Sequence, residues 1–138
     1  MSDLKAFLKQ NKKERENVKF AVSKDFIDEQ GNVIEWEIRP LKSKEMDIIR
    51  AMCVNINSKG KGSTFDDRKF NKLICARATV FPDLNNKELQ DSYHVMCAED
   101  LIQEILDNDG EYIAYTQKVL EVAGYNKNEE ELIEEAKN

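Results

Sequence analysis

Apolar residues fall on every second position in two early stretches of the chain. Val18, Phe20 and Val22 form the first; Ile34, Trp36 and Ile38, interleaved with Glu35, Glu37 and Arg39, form the second. A period of two predicts half-buried strands with one dry face. Between them lies Asp28-Glu29-Gln30-Gly31-Asn32, turn chemistry in which Gly31 can take a positive φ. The pair reads as a β-hairpin or small meander. Pro40 ends it, because proline has no N–H to give a ladder.

Beyond Pro40 the period becomes helical. Ser43 is placed as an N-cap, Glu45 lies in the first turn, and Met46, Ile49, Met52 and Cys53 recur at helical spacing. Residues 57–63 are a hydrophilic loop. Phe70, Leu73, Ile74 and Arg77 mark a helix from near Asp66 to just before Pro82. Asp83 to Asn86 caps a short helix with Leu89 and Tyr93, and Ala98 to Leu106 is another, with Leu101, Ile102, Ile105 and Leu106 inward. Asp107-Asn108-Asp109-Gly110 predicts a turn whose glycine takes a conformation β-branched residues resist. The last helix holds Tyr112, Ile113, Val119, Leu120 and Val122, with Gly124 as its stop. At the start of the chain, Leu4, Phe7 and Leu8 share one face of a short helix capped by Ser2 or Asp3, and residues 10–17 are a polar linker.

The fold class this predicts is α+β and mostly helical: a small N-terminal antiparallel β-hairpin or meander, then a bundle of about five helices. One globular domain is expected over residues 1–125, with the β element at about 17–40 and the helical body at about 43–124. Residues 126–138 read as an acidic, mobile tail that can be removed without unfolding the body, made weakly amphipathic by Leu132 and Ile133.

Composition narrows the function. The 138 residues are 41% hydrophobic and 35% charged, with no apolar run near the ~18 residues that span a bilayer. Met1-Ser2-Asp3-Leu4-Lys5 is no signal peptide, so a cytosolic protein is expected. Cys53, Cys75 and Cys97 form no CxxC pair and read as buried free thiols. With one histidine, His94, no metal site is expected. The net charge of −6 argues against phosphate-backbone binding. It is unevenly spread, at +3 over residues 1–19 and −3 over residues 126–138, which reads first as solvated termini and second as ends that pair between copies.

No catalytic motif survives inspection. In Gly60-Lys61-Gly62-Ser63-Thr64 the lysine precedes the second glycine, which is not the order of a phosphate loop. A calcium loop counted around Gly110 puts Ile105 and Thr116 where carboxylates belong. His94 and Cys97 have no clear Asn or Asp to orient the imidazole. The basic stretch Lys9–Lys19 lacks the interleaved aromatics of a base-stacking surface. Trp36 is the sole tryptophan, read first as a core anchor and second as an interface hot spot.

Several phrases, in order, resemble the XkdN-like family of phage tail assembly chaperones. They are Val22-Ser23-Lys24, Phe26 with Gly31, Trp36-Glu37-Ile38-Arg39-Pro40-Leu41, Lys44-Glu45, Val80-Phe81-Pro82-Asp83-Leu84, Glu88-Leu89-Gln90-Asp91-Ser92-Tyr93, Gly110-Glu111-Tyr112 and Val122-Ala123-Gly124-Tyr125. Asp25 stands where a basic residue is expected, and His94 where a glycine often follows Tyr93. The resemblance implies a non-enzymatic helper in the cytoplasm of the bacterial host, absent from the finished particle and needing no cofactor. Its partners would be the tape-measure protein and the tail-tube protein, with self-association possible and no nucleic acid or membrane. The alternative is a small structural or adaptor subunit retained in the particle. Candidate contacts are Trp36, Arg39, Leu41, Met46, Met52, Met96, Leu132 and Ile133, methionines suiting a tolerant groove for a client helix.

Overall fold

The structure is a computed structural model that describes residues 3–57, 60 and 62–125. The expectations for the 126–138 tail, Leu132 and Ile133 included, fall outside the described residues, as does Ser2.

Both alternating stretches are strands, though short. Strand β1 (Val18–Phe20) pairs antiparallel with β2 (Trp36–Ile38), setting Val18 opposite Ile38 and Phe20 opposite Trp36. The connection turns where Asp28 Oδ1 accepts the N–H groups of Gln30 and Asn32, each at 2.9 Å, and Gly31 adopts φ +85°. Trp36 and Ile38 point into the core. Outward-facing Glu37 accepts a 2.9 Å bond from Asn17 and pairs with Lys19 at 3.8 Å.

A third strand completes the sheet from far along the chain. Strand β5 (Thr79–Phe81) pairs antiparallel with β2, giving the order β1-β2-β5. The helix expected to run almost to Pro82 stops at Ala78, since β-branched Thr79 and Val80 favour a strand and the residue before a proline avoids α geometry. A second, two-stranded sheet brackets the predicted loop: β3 (Val54–Ile56) pairs antiparallel with β4 (Ser63–Phe65).

Five helices make up the rest: α1 (Ser43–Met52), α2 (Asp67–Ala78), α3 (Lys87–Ser92), α4 (Ala98–Ile105) and α5 (Asp109–Val122). Asp66, Asn86 and Asn108 cap α2, α3 and α5 by accepting N–H bonds from Lys69, Leu89 and Glu111. Helix α1 departs from expectation by one residue. Its cap position is Lys42, whose carbonyl accepts from Met46 while its N–H donates to Glu45 at 3.2 Å; Ser43 is the first helical residue.

Helix α2 lies at the centre, packed against α1, α4 and α5. Helix α4 buries Leu101, Ile102 and Ile105, and α5 buries Tyr112, Tyr115, Thr116 and Val119, a single helical stripe. Tyr115 packs edge-on against Trp36 with ring centroids 5.2 Å apart, and Thr79 Oγ1 lies 2.5 Å from its hydroxyl. These side chains join α5 to the three-stranded sheet. The N-terminal stretch forms two 3-10 turns, Asp3–Phe7 and Lys9–Asn11, in place of a packed α-helix, and Leu4, Phe7 and Leu8 stay exposed.

Two turns correct the reading of glycine. Gly110 is helical, the second residue of α5, so the ground for expecting Gly110→Val to strain a turn is removed. The left-handed positions are elsewhere. Gly124, at φ +116°, closes α5 in a Schellman motif, with Gly124 N–H on Glu121 O and Tyr125 N–H on Leu120 O. Helix α3 closes the same way through His94 at φ +59°, with His94 N–H on Asp91 O and Val95 N–H on Gln90 O. A left-handed residue with a Cβ is strained, so His94→Gly should raise stability by about 0.5–1 kcal/mol, read as a higher urea midpoint.

Candidate functional site

An open groove of about 460 Å³ is lined by Met46 and Arg50 of α1, Phe65 of β4, Phe70 of α2, Gln117 and Leu120 of α5, and Tyr125. Its walls are mainly apolar. Phe65 and Phe70 tilt against each other with ring centroids 5.5 Å apart. Arg50 ties two walls together, donating to Tyr125 Oη at 2.7 Å and to Asp47 at 3.0 Å.

The apolar surface continues onto the β3–β4 hairpin. Val54 lies directly opposite Phe65, and Ile56 is two residues along the same strand, so all three share one face. Every residue of both strands is exposed, with Ile56 80% accessible. Ile48 and Met52 add exposed apolar surface on α1. An apolar groove wall that runs through Phe65 onto an exposed hairpin face, on a charge-rich chain, marks an interaction face.

The anticipated contact residues separate on folding. Trp36 is 2% exposed and Leu41 is also buried, so both belong to the core; their apolar bulk is used beneath the helices and is unavailable to a partner in this conformation. Met46 is buried too, yet it forms part of the groove wall. Met52 is 45% exposed at the end of α1, just before the hairpin, whereas Met96 is 94% exposed on the α3–α4 connection. Phe65, Phe70, Arg50, Leu120 and Tyr125 were not among the candidates, although Tyr125 closes the Val122-Ala123-Gly124-Tyr125 phrase.

Arg39 has a structural partner. Its guanidinium makes two bonds to the Glu45 carboxylate, 2.9 and 2.6 Å, locking the end of β2 to the first turn of α1. That fork, with the Lys42 N–H, holds the Glu45 carboxyl down at about 2 against an ordinary 4.5 despite some opposing burial. A depressed pKa contributes stability above the ordinary carboxylate range and loses it as pH falls toward the folded value. Glu45→Gln should therefore cost about 1–2 kcal/mol at pH 7, discounted for the water-accessible rim of the pair. The gap between variant and parent should narrow as pH falls below about 4.5 and close near pH 2, which urea titrations at pH 7 and at pH 2 would measure.

Reactive chemistry finds little support in the cysteines. Burial pushes the Cys75 thiol up to about 12 against a smaller pull from Thr116, and burial also raises Cys53. At Cys97 a backbone bond at Asp100 pulls downward, but burial and the Glu99 and Asp100 side chains outweigh it and the pKa rises. A nucleophilic thiol needs the opposite shift. Among the described residues no three His, Cys, Asp or Glu side chains cluster as metal ligands, and no buried side-chain nitrogen or oxygen lacks a partner. No helix among them is long and apolar enough to cross a membrane.

Fold and groove together define a small α+β scaffold that carries an open, mainly apolar groove. The sequence profile of the family described as phage XkdN-like tail assembly chaperone protein, TAC, matches residues 4–137, and the chain belongs to that family. It is 30% identical over 139 residues to the phage-like element PBSX protein XkdN of Bacillus subtilis (strain 168), covering 99% of this chain and 94% of that one. It is 28% identical to the uncharacterized protein YqbN of the same organism, covering 99% and 93% of the two chains. The crystal structure of YqbN superposes with a TM-score of 0.77 at 25% identity, covering 91% of this chain and 98% of that chain.

Proposed function

We propose that this tail assembly chaperone is non-enzymatic and binds the tape-measure protein, keeping its apolar helical stretches soluble until tail-tube subunits are recruited around them. The observation that carries this reading is the apolar groove continuing onto the exposed hairpin face, on a chain of net charge −6. An amphipathic client helix suits such a groove, and the charge keeps a coated client in solution. Each site need only be weak, because many copies on one long client act together. Release then follows readily when tube subunits compete for the same stripe. The chaperone works in the host cytoplasm and leaves before the particle is complete.

The test is co-expression with the tape-measure protein of the same phage element. The chaperone should co-purify with that protein and raise its soluble yield, and it should be missing from finished particles. Particles that contain it in fixed stoichiometry would instead make it a structural subunit.

A further inference from the structure

We infer that the chain's own C-terminal segment, residues 126–138, docks in the groove and occupies it when no client is present. Three observations point to this occupant. First, the described chain ends at Tyr125, which itself lines the groove and is held there by Arg50. Leu132 lies only seven residues further on. That is about 10 Å as helix or about 24 Å extended, so the groove is within reach either way.

Second, the charges are complementary. Residues 42–77, which supply α1, the hairpin and α2, carry nine Lys and Arg against four Asp and Glu, a net +5 within a chain of −6. The segment 126–138 carries five Glu against two Lys, a net −3. Helix α5 with Tyr125, residues 109–125, offsets this with three acids against one Lys, a net −2, so the elements that line the groove stay positive at +3 and favour an acidic occupant.

Third, the segment has an apolar core of the right size. Leu132-Ile133 is bracketed by Glu129-Glu130-Glu131 and Glu134-Glu135. Two branched side chains can meet the Phe65–Phe70 wall while the glutamates remain toward the basic elements. The family match runs on through residue 137, so it takes in this segment.

Tethering makes a weak contact sufficient, since a short linker supplies an effective concentration of about millimolar. The segment then acts as a built-in competitor. A client must displace it, and it refills the groove when the client leaves; this last step rests on the client reading above, whereas the docking itself does not.

The test uses the full chain and no client. In a methyl-labelled sample, Ile133 and Leu132 methyls should show proximity to the Phe65 and Phe70 rings within one molecule. A synthetic peptide of residues 126–138 should bind the Leu132→Ser, Ile133→Ser double variant at least about tenfold more tightly than the parent, whose groove is already filled. These two changes leave the body untouched, so misfolding does not confuse the result. Equal peptide affinity for both chains, no binding to either, or methyl contacts only between differently labelled copies would overturn the inference. Failure here leaves co-purification with the tape-measure protein intact, and loss of co-purification leaves these contacts unaffected.

Discussion

Trp36→Ala should destabilise the protein by about 3–5 kcal/mol, the cost of deleting a large buried aromatic and leaving a cavity. The side chain is 2% exposed on the central strand of the three-stranded sheet. It meets Tyr115 edge-on at 5.2 Å and Phe26 at 6.3 Å, so its removal loosens the sheet from α5 and from the loop after β1 together. Against a typical domain stability of about 5–15 kcal/mol, that loss is a large share of the whole. Urea unfolding followed by circular dichroism would measure it. Trp36→Phe, which keeps an aromatic in the gap, should lose markedly less. A change below about 1 kcal/mol for the alanine variant would mean that the ring is not buried as placed and would return Trp36 to the candidate contacts.

Much of this fold was legible because local chemistry and tertiary structure agree. Alternation found β1 and β2, and the Asp28–Gly31 turn carries its own hydrogen bonds. Asn86 and Gly124 act as the caps their positions predict, and Asp66, near which α2 is expected to start, caps that helix. The misses have physical causes. Strand β5 is three residues long and pairs with a strand some forty positions earlier, so its sequence neighbourhood reads as the end of a helix. The hairpin is hidden in the sequence because Val54 and Ile56 alternate without a buried face, so only the hydrophilic loop between the strands stands out. Tyr115 and Thr116 complete the buried stripe of α5, a pattern that a polar hydroxyl on each obscures, whereas the apolar Ile113 is exposed.

The site was less legible than the fold. Its lining comes from α1, β4, α2, α5 and the residue after α5's stop, and no stretch of sequence contains two of these walls in full. Methionines were a reasonable guide to a tolerant surface, yet only Met46 lines the groove, while Met96 projects elsewhere. Aromatic residues on the helix starts and the hairpin proved the better marker. Phe65 and Phe70, five positions apart across the Asp66 cap, are brought ring to ring by the sharp turn from β4 into α2.

Replacing Ile56 and Phe65 together by aspartate should reduce capture of the tape-measure protein at least about tenfold, equivalent to ~1.4 kcal/mol or more per site. Each substitution removes an exposed apolar contact and sets a carboxylate against the client's apolar stripe, where it would lose water without gaining a partner. The effect should grow along a client coated by many copies, because a small loss at each site multiplies across the array. Stability should change far less. Ile56 is almost wholly exposed, and Phe65 is partly so, packing against Phe70 at the surface, so a combined cost of about 1 kcal/mol is expected. Met96→Asp is the matched control, since it places the same charge on an exposed apolar residue outside the groove lining. Pull-down of the tape-measure protein by the three chains, each verified as folded by its urea midpoint, separates the outcomes. Equal losses for the groove variant and the control would attribute capture to general charge, and undiminished capture by the groove variant would remove this face from the client's path.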